Sequence, residues 1–172
     1  MRGSVKTLLV CGALITAGLG APVLGAAAPA ASAAVSASPS CTPTPNNIHW
    51  GTVNGQASVT FAGQVECNSP APSILLHTSL FFCGTQRPKD NKNWLLADCQ
   101  DMTNSQTFTP EESGVTYMLS SPSPTEIATQ TGYYASILNF TIDNTSSGPF
   151  FGVPAHCSSG TEGNTCTNVA PA

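Results

Sequence analysis

Charge is scarce in this chain. Only 8% of its 172 residues are Asp, Glu, Lys or Arg, where an ordinary soluble protein has about 25%. Basic residues are fewest, with five Lys and Arg against nine Asp and Glu. Two of the five, Arg2 and Lys6, fall in a leader expected to be removed. The mature chain then keeps Arg87, Lys89 and Lys92 against nine acidic residues, a net charge of −6. Nucleic-acid binding is excluded as an expectation, because affinity for a phosphate backbone comes from clustered basic side chains. Histidine is also rare, at three. No HExxH, CxxC, GxSxG or glycine-rich phosphate loop occurs, so no motif announces a zinc, thiol-redox, acyl-transfer or nucleotide site.

What is present starts with the leader. Arg2 and Lys6 precede an uncharged apolar stretch that ends in small residues around Ala31-Ser32-Ala33, the layout of an export signal. Gly18, Gly20, Pro22, Gly25 and Pro29 interrupt the stretch and argue against a spanning helix. The reading is a signal peptide over 1–33, with Ala30 a competing boundary, a flexible N-terminal arm over 34–46 and a single β domain over 47–172. The mature protein is expected to be secreted, with no membrane attachment after cleavage. With Cys11 discarded, six cysteines remain. An even number in an oxidising compartment reads as a disulfide framework.

The clearest strand is Ser58 to Cys67, where Val59, Phe61, Val65 and Cys67 alternate with Thr60, Ala62, Gln64 and Glu66. Asn54-Gly55 just before it suits a two-residue type I′ turn. That turn sets Val53 opposite Gln56, Trp50 opposite Val59 and Ile48 opposite Phe61, and brings Cys41 within one residue of facing Cys67. Pro43 and Pro45 confine the partner to an edge. Ile74 to Cys83 is almost continuously apolar and reads as a strand buried on both faces. Gly84 to Asn93 reads as a surface loop, and Trp94 to Cys99 as the returning strand. A hairpin centred near Asn91 sets Cys83 level with Cys99.

Asp101 to Gly114 reads as a long connection with at most a short strand at Thr107 to Thr109. Val115, Tyr117 and Leu119 mark a half-buried strand. Tyr133 to Ile142 is another, with Tyr134, Leu138, Phe140 and Ile142 on one face, closed by a turn over Asp143 to Pro149. Cys157 and Cys166 close a short ring. The predicted pairs are therefore Cys41 with Cys67, Cys83 with Cys99, and Cys157 with Cys166.

Short strands separated by Gly, Pro and Ser turns give an all-β fold, an antiparallel β-sandwich immunoglobulin-like in outline, with a small β-barrel as the alternative. In size, export and disulfide-stapled β architecture the chain is similar to the apoproteins that carry enediyne chromophores, an analogy of fold class with no motif in common.

Chemistry is thinly marked. His49, His77 and His156 each read as a residue on a strand or beside a ring. His156 with Cys157 and Cys166 could be drawn as a metal set, but paired cysteines in an exported chain favour a disulfide. Glu111-Glu112, and Asp98 with Asp101, read as solvated carboxylates. Five aromatic residues are the candidate binding residues: Trp94 at the end of the basic loop, Tyr133 and Tyr134, and Phe150 and Phe151 in a Gly-flanked segment too short for an ordinary strand. The functional expectation is a secreted, non-catalytic interaction or structural module without cofactor or metal. Its partner would be an extracellular protein, a glycan or a small apolar ligand. A carrier of a small apolar molecule and an inhibitor of an exported protease are the alternatives.

Overall fold

Ten strands and no helix make up the described part of the chain. The computed structural model describes residues 39–71, 73–88, 99–109 and 114–170, all within the compact unit Ala37–Ala172. The expected signal peptide and the expected strand with Trp94 lie outside these residues. Two antiparallel sheets pack face to face, and among the described residues no ladder joins one to the other.

The smaller sheet is built on β3, Gln56–Cys67. β2, His49–Val53, reaches it through a turn in which Asn54 and Gly55 have φ of 50° and 78°, the backbone a type I′ turn requires. The ladder sets Val53 opposite Gln56 and Trp50 opposite Val59, as the sequence implies. β1, Cys41–Pro45, pairs further along β3 with Cys41 facing Cys67. Between the two ladders three residues, 46 to 48, face two, 61 and 62, a one-residue bulge. That bulge supplies the one-residue offset left by the turn register.

The arm expected over 34–46 is therefore shorter than its Pro-rich composition suggests. Cys41–Pro45 is strand, because the prolines occupy an edge and Cys41 is bonded to Cys67. On the other edge of β3 lies β6, Thr116–Ser121.

The larger sheet runs β10, β9, β7, β4, β5, with β8 also on β7. β4, Ile74–Phe82, sits between β5, Gln100–Phe108, and β7, Gly132–Ile142. β5 corrects the long connection expected over Asp101 to Gly114. Its sequence QDMTNSQTF has little β-propensity, and a nine-pair ladder with β4 rather than burial makes it a strand. β8, Thr145–Phe151, corrects the expected turn over Asp143 to Pro149. The turn is only Asp143 and Asn144, with φ of 48° and 63°, and the chain pairs again at once despite Gly148 and Pro149. β9, Ala155–Ser158, continues along the same edge of β7, and β10, Thr165–Asn168, pairs with β9.

Val59, Phe61, Val65, Ile74, Leu76, Leu80, Tyr134 and Leu138 form the centre of the core, all fully buried. β4 is less covered than its composition implies, since Leu75 on its outer face is 41% exposed. Several polar groups within the core are paired, whereas the buried Ser136 Oγ has no hydrogen-bond partner among the described residues. The Ser121 hydroxyl donates to the Thr78 carbonyl at 2.7 Å, and the Thr78 and Ser121 hydroxyls lie 2.7 Å apart. Two residues along β3 from Phe61, which faces Ser121, the Val59 amide donates to Ala128 O at 2.7 Å, and the Ala128 amide donates to Ser58 Oγ at 3.0 Å. All three disulfides are those the sequence predicts.

Candidate functional site

One end of the larger sheet gathers most of the features the sequence singles out. The register that sets Phe82 opposite both Gln100 and Tyr134 also sets Cys83 level with Cys99 and Tyr133. The Cys83 amide donates to Tyr133 O and the Tyr133 amide to Gly84 O, both at 2.8 Å. Gly132 then faces Cys157, and Cys157 faces Cys166. The two disulfides thus lie at the same end of the sheet, one residue apart in register and on opposite faces, Cys83–Cys99 with the outer cluster and Cys157–Cys166 against the inter-sheet core. Gly132 fits because a Cβ there would stand 2.8 Å from the Phe82 ring, and its φ is 155°.

The ring from Cys157 to Cys166 is exposed from Ser159 to Asn164. Its tip is a tight turn, with the Gly163 amide donating to Gly160 O at 3.0 Å. Thr161 and Glu162 are held in this turn. The ring is tied to the segment before β7 by the Ser159 amide donating to Thr131 Oγ1 at 3.2 Å, with the two hydroxyls 3.3 Å apart. Beyond Cys83 the Gln86 amide donates to Cys83 O at 3.2 Å, and Arg87 donates through Nε and Nη2 to Ala170 O at 3.0 and 2.5 Å.

The aromatic residues of this region do not share one cleft. Tyr134 and Phe150 point into the inter-sheet core, Tyr134 against Phe82 at 5.1 Å between centroids and Phe150 stacked on Phe140 at 5.8 Å. Tyr133 and Phe151 point the other way and pack on a second cluster of Phe81, Cys83 and Ile137 with Cys99. Adjacent strand residues face opposite sides, so each pair of neighbouring aromatics is divided by the sheet. Phe150 and Phe151 belong to β8, which corrects the expectation that their segment is too short for a strand. Trp94 lies outside the described residues.

His156 meets the Tyr133 ring edge-on at 4.8 Å. Burial pushes the Tyr134 hydroxyl up to about 12, and that hydroxyl donates to Gln130 O at 2.8 Å. Asp101, opposite Phe81, has an exposed side chain. Neighbouring atoms still displace enough water to push its carboxyl above the ordinary range, with His77 opposing and Glu126 adding to the rise. Toward the middle of the sheet His77 places Nδ1 2.5 Å from Ser105 Oγ and Nε2 3.4 Å from Ser79 Oγ. Hydroxyls occupy both ring nitrogens, so the carboxylate that orients the base in a nucleophilic triad is not part of this arrangement. His49 contacts Asn47 O at 3.0 Å and Thr60 Oγ1 at 3.3 Å. Among the described residues no group of three His, Cys, Asp or Glu is placed to hold a metal ion, and no helix is long and apolar enough to cross a membrane.

A second feature is an open recess of about 470 Å³ beside the Cys41–Cys67 bond, lined by Ser40, Thr42, Glu66, Cys67, Asn68 and Gly114. Among the described residues, Tyr133, Tyr134, Phe150 and Phe151 do not line it. Sequence reasoning also missed the links that bind these two segments into the fold, Thr131 with Ser159 and Arg87 with Ala170. The first spans 28 residues and the second 83, and no local pattern encodes either. No protein-family model matches the chain, and no curated protein or solved structure matches it.

Proposed function

We propose that this chain is an exported, non-catalytic interaction module whose contact surface is the loop end of the larger sheet. One observation carries the reading. Two disulfides, one residue apart in register, cross-link neighbouring strands at one end of the larger sheet, and one of them closes the exposed ring from Ser159 to Asn164. Loops that bind are commonly displayed this way, because a fixed scaffold lowers the ordering entropy lost on association. The disulfides and the leader support an oxidising compartment outside the cytoplasm. A folded partner protein suits this surface best, since the ring tip from Ser159 to Asn164 is exposed and polar rather than an apolar cavity.

Cross-linking followed by affinity capture from the host's medium and cell surface tests the proposal. Wild-type protein is compared with Thr161→Arg and Glu162→Arg, which lie at the exposed tip and leave the ladder untouched. A partner retained by the wild type and lost by both variants, with unchanged thermal unfolding, supports the reading. Equal retention overturns it, as does turnover of a hydrolase substrate that one point substitution abolishes.

A further inference from the structure

The sequence contains one Asn-Gly step, Asn54-Gly55, and the fold places it at the exposed tip of the β2–β3 hairpin. We infer that Asn54 is a self-modification site, at which the side-chain amide is converted to a carboxylate by its own backbone and water, and that the hairpin sets the rate.

The chemistry needs no enzyme. The Gly55 amide nitrogen gives up its proton to solvent base and attacks Asn54 Cγ. A Cγ–N bond forms, the Cγ–Nδ2 bond breaks and ammonia leaves, which closes a five-membered imide. Water then opens either of two C–N bonds. Opening at Cγ leaves an ordinary aspartate in place of the asparagine. Opening at the Asn54 backbone carbonyl gives isoaspartate, with the main chain running through the former side chain and one carbon longer.

Four features of the structure bear on the step. Gly55 has nothing within 4 Å of the place a Cβ would occupy, so its nitrogen is sterically open to the imide. The β7–β8 hairpin supplies an internal comparison, since Asn144 is also exposed and in a positive-φ turn, at 63°. The residue after Asn144 is Thr145, whose branched Cβ crowds the attacking nitrogen. Against these, the Asn54 side-chain amide donates a short hydrogen bond to Pro124 O, and the Val53 to Gln56 pair closes the turn. Both must give way before the Gly55 nitrogen can swing onto Cγ, so local opening limits the rate.

The products act on the fold at this point. Either carboxylate replaces a donor with an acceptor opposite the Pro124 carbonyl, which undoes the tie between the hairpin tip and the segment leading to Ala128. Isoaspartate also lengthens the two-residue turn whose register buries Val59.

The test is peptide mapping of the purified full-length mature protein during incubation at neutral and mildly alkaline pH, beside a reduced, urea-unfolded sample. Conversion at Asn54 is expected to exceed that at Asn144 by about tenfold or more, the rate ratio for a barrier difference of 1.36 kcal/mol, to rise with pH, and to run faster in urea. Asn54→Asp should fold and show faster hydrogen exchange from Ser123 to Glu126. The inference is overturned if folded protein keeps Asn54 intact while the unfolded sample converts it fully, if Asn144 keeps pace, or if folding does not change the rate.

Discussion

At Gly63 the smaller sheet packs closely on the larger, and replacing it by alanine is a direct test of how they are held. It lies on the core face of β3 between Phe61 and Val65. A Cβ there would stand 2.6 Å from Leu138 Cδ1 and 2.9 Å from Thr78 Cγ2, well inside ordinary carbon contact. Neither neighbour can withdraw easily. Leu138 and Thr78 are both 0% exposed, and the paired hydroxyls of Thr78 and Ser121 hold the threonine rotamer. Overpacking a closed core costs about 1–3 kcal/mol, and two immobile neighbours place Gly63→Ala near the upper end of that range. Loss of glycine's freedom in the unfolded chain offsets about 0.5–1 kcal/mol. The net expectation is about 2 kcal/mol of destabilisation, a large share of the ~5–15 kcal/mol available to a domain.

Equilibrium urea unfolding measures it, with the slope checked so that a midpoint shift reads as stability. Leu138→Ala completes the cycle. Alone it should cost about 2–5 kcal/mol through its cavity, but it also removes the atom that the added methyl group would strike. The double variant should therefore lose less than the sum, with a coupling of about 1–2 kcal/mol. A neutral Gly63→Ala, or strict additivity with Leu138→Ala, would show that the sheets do not meet at this residue.

Three further outcomes follow from the same structure. Replacing each cysteine pair by serine should destabilise in order of ring length, about 3.5, 3 and 2.5 kcal/mol for separations of 26, 16 and 9 residues, and the shortest ring proving the costliest in urea unfolding would contradict it. Ser58→Ala removes the acceptor of the Ala128 amide and should cost about 1–3 kcal/mol, with faster exchange of that amide as the local readout. Tyr134 is held neutral by burial, with its hydroxyl raised from 10.0 to about 12, so its contribution is complete below pH 10 and is lost as pH rises through about 12. Stability should fall there by roughly 3 kcal/mol at 1.36 kcal/mol per pKa unit, and a Tyr134→Phe variant falling equally over that window would remove Tyr134 as the cause.

Local chemistry decided which parts of the fold were legible. The Asn54-Gly55 turn and the alternation after it determine a register, and a register carries every pair along its ladder, so Cys41 with Cys67 could be read to within one residue. The hairpin symmetry about Asn91 likewise gave Cys83 with Cys99 without any view of the loop. β5 and β8 escaped because their ladders, not their side chains, make them strands. In QDMTNSQTF only Met102 and Phe108 mark the inner face, and TSSGPFF contains Gly148 and Pro149, residues that ordinarily argue against a strand. The candidate site was legible as parts and not as a whole. Each ring could be read from its own two cysteines, but their alignment depends on β4, β7 and β9 lying side by side, and no residue pattern in one strand reports its distant neighbour.

The positions of the disulfides have a common physical reason. Each bonds an edge strand that buries little to an inner strand that buries much. β1 alternates half-exposed residues with exposed ones and carries two prolines that cannot donate to the ladder. Its partner β3 supplies Val59, Phe61 and Val65 to the core. β10 exposes three of its four residues, while β9 buries Ala155 and Cys157 completely. The β5 edge is largely polar, and the Cys99 just before it is bonded to the end of β4, which supplies Ile74, Leu76 and Leu80. Hydrophobic burial cannot hold strands of that composition, and a loose edge strand exposes its neighbour's unpaired amides and carbonyls to pairing with other chains. A covalent bond holds the edge without adding apolar surface. The edges can therefore stay polar, which leaves the surface of this low-charge domain free of the sticky flanks that aromatic or branched edge strands would give it. Two of those bonds also lie at one end of the larger sheet, so the requirement that secures the edges also cross-links the strands from which the ring at Ser159 to Asn164 leaves.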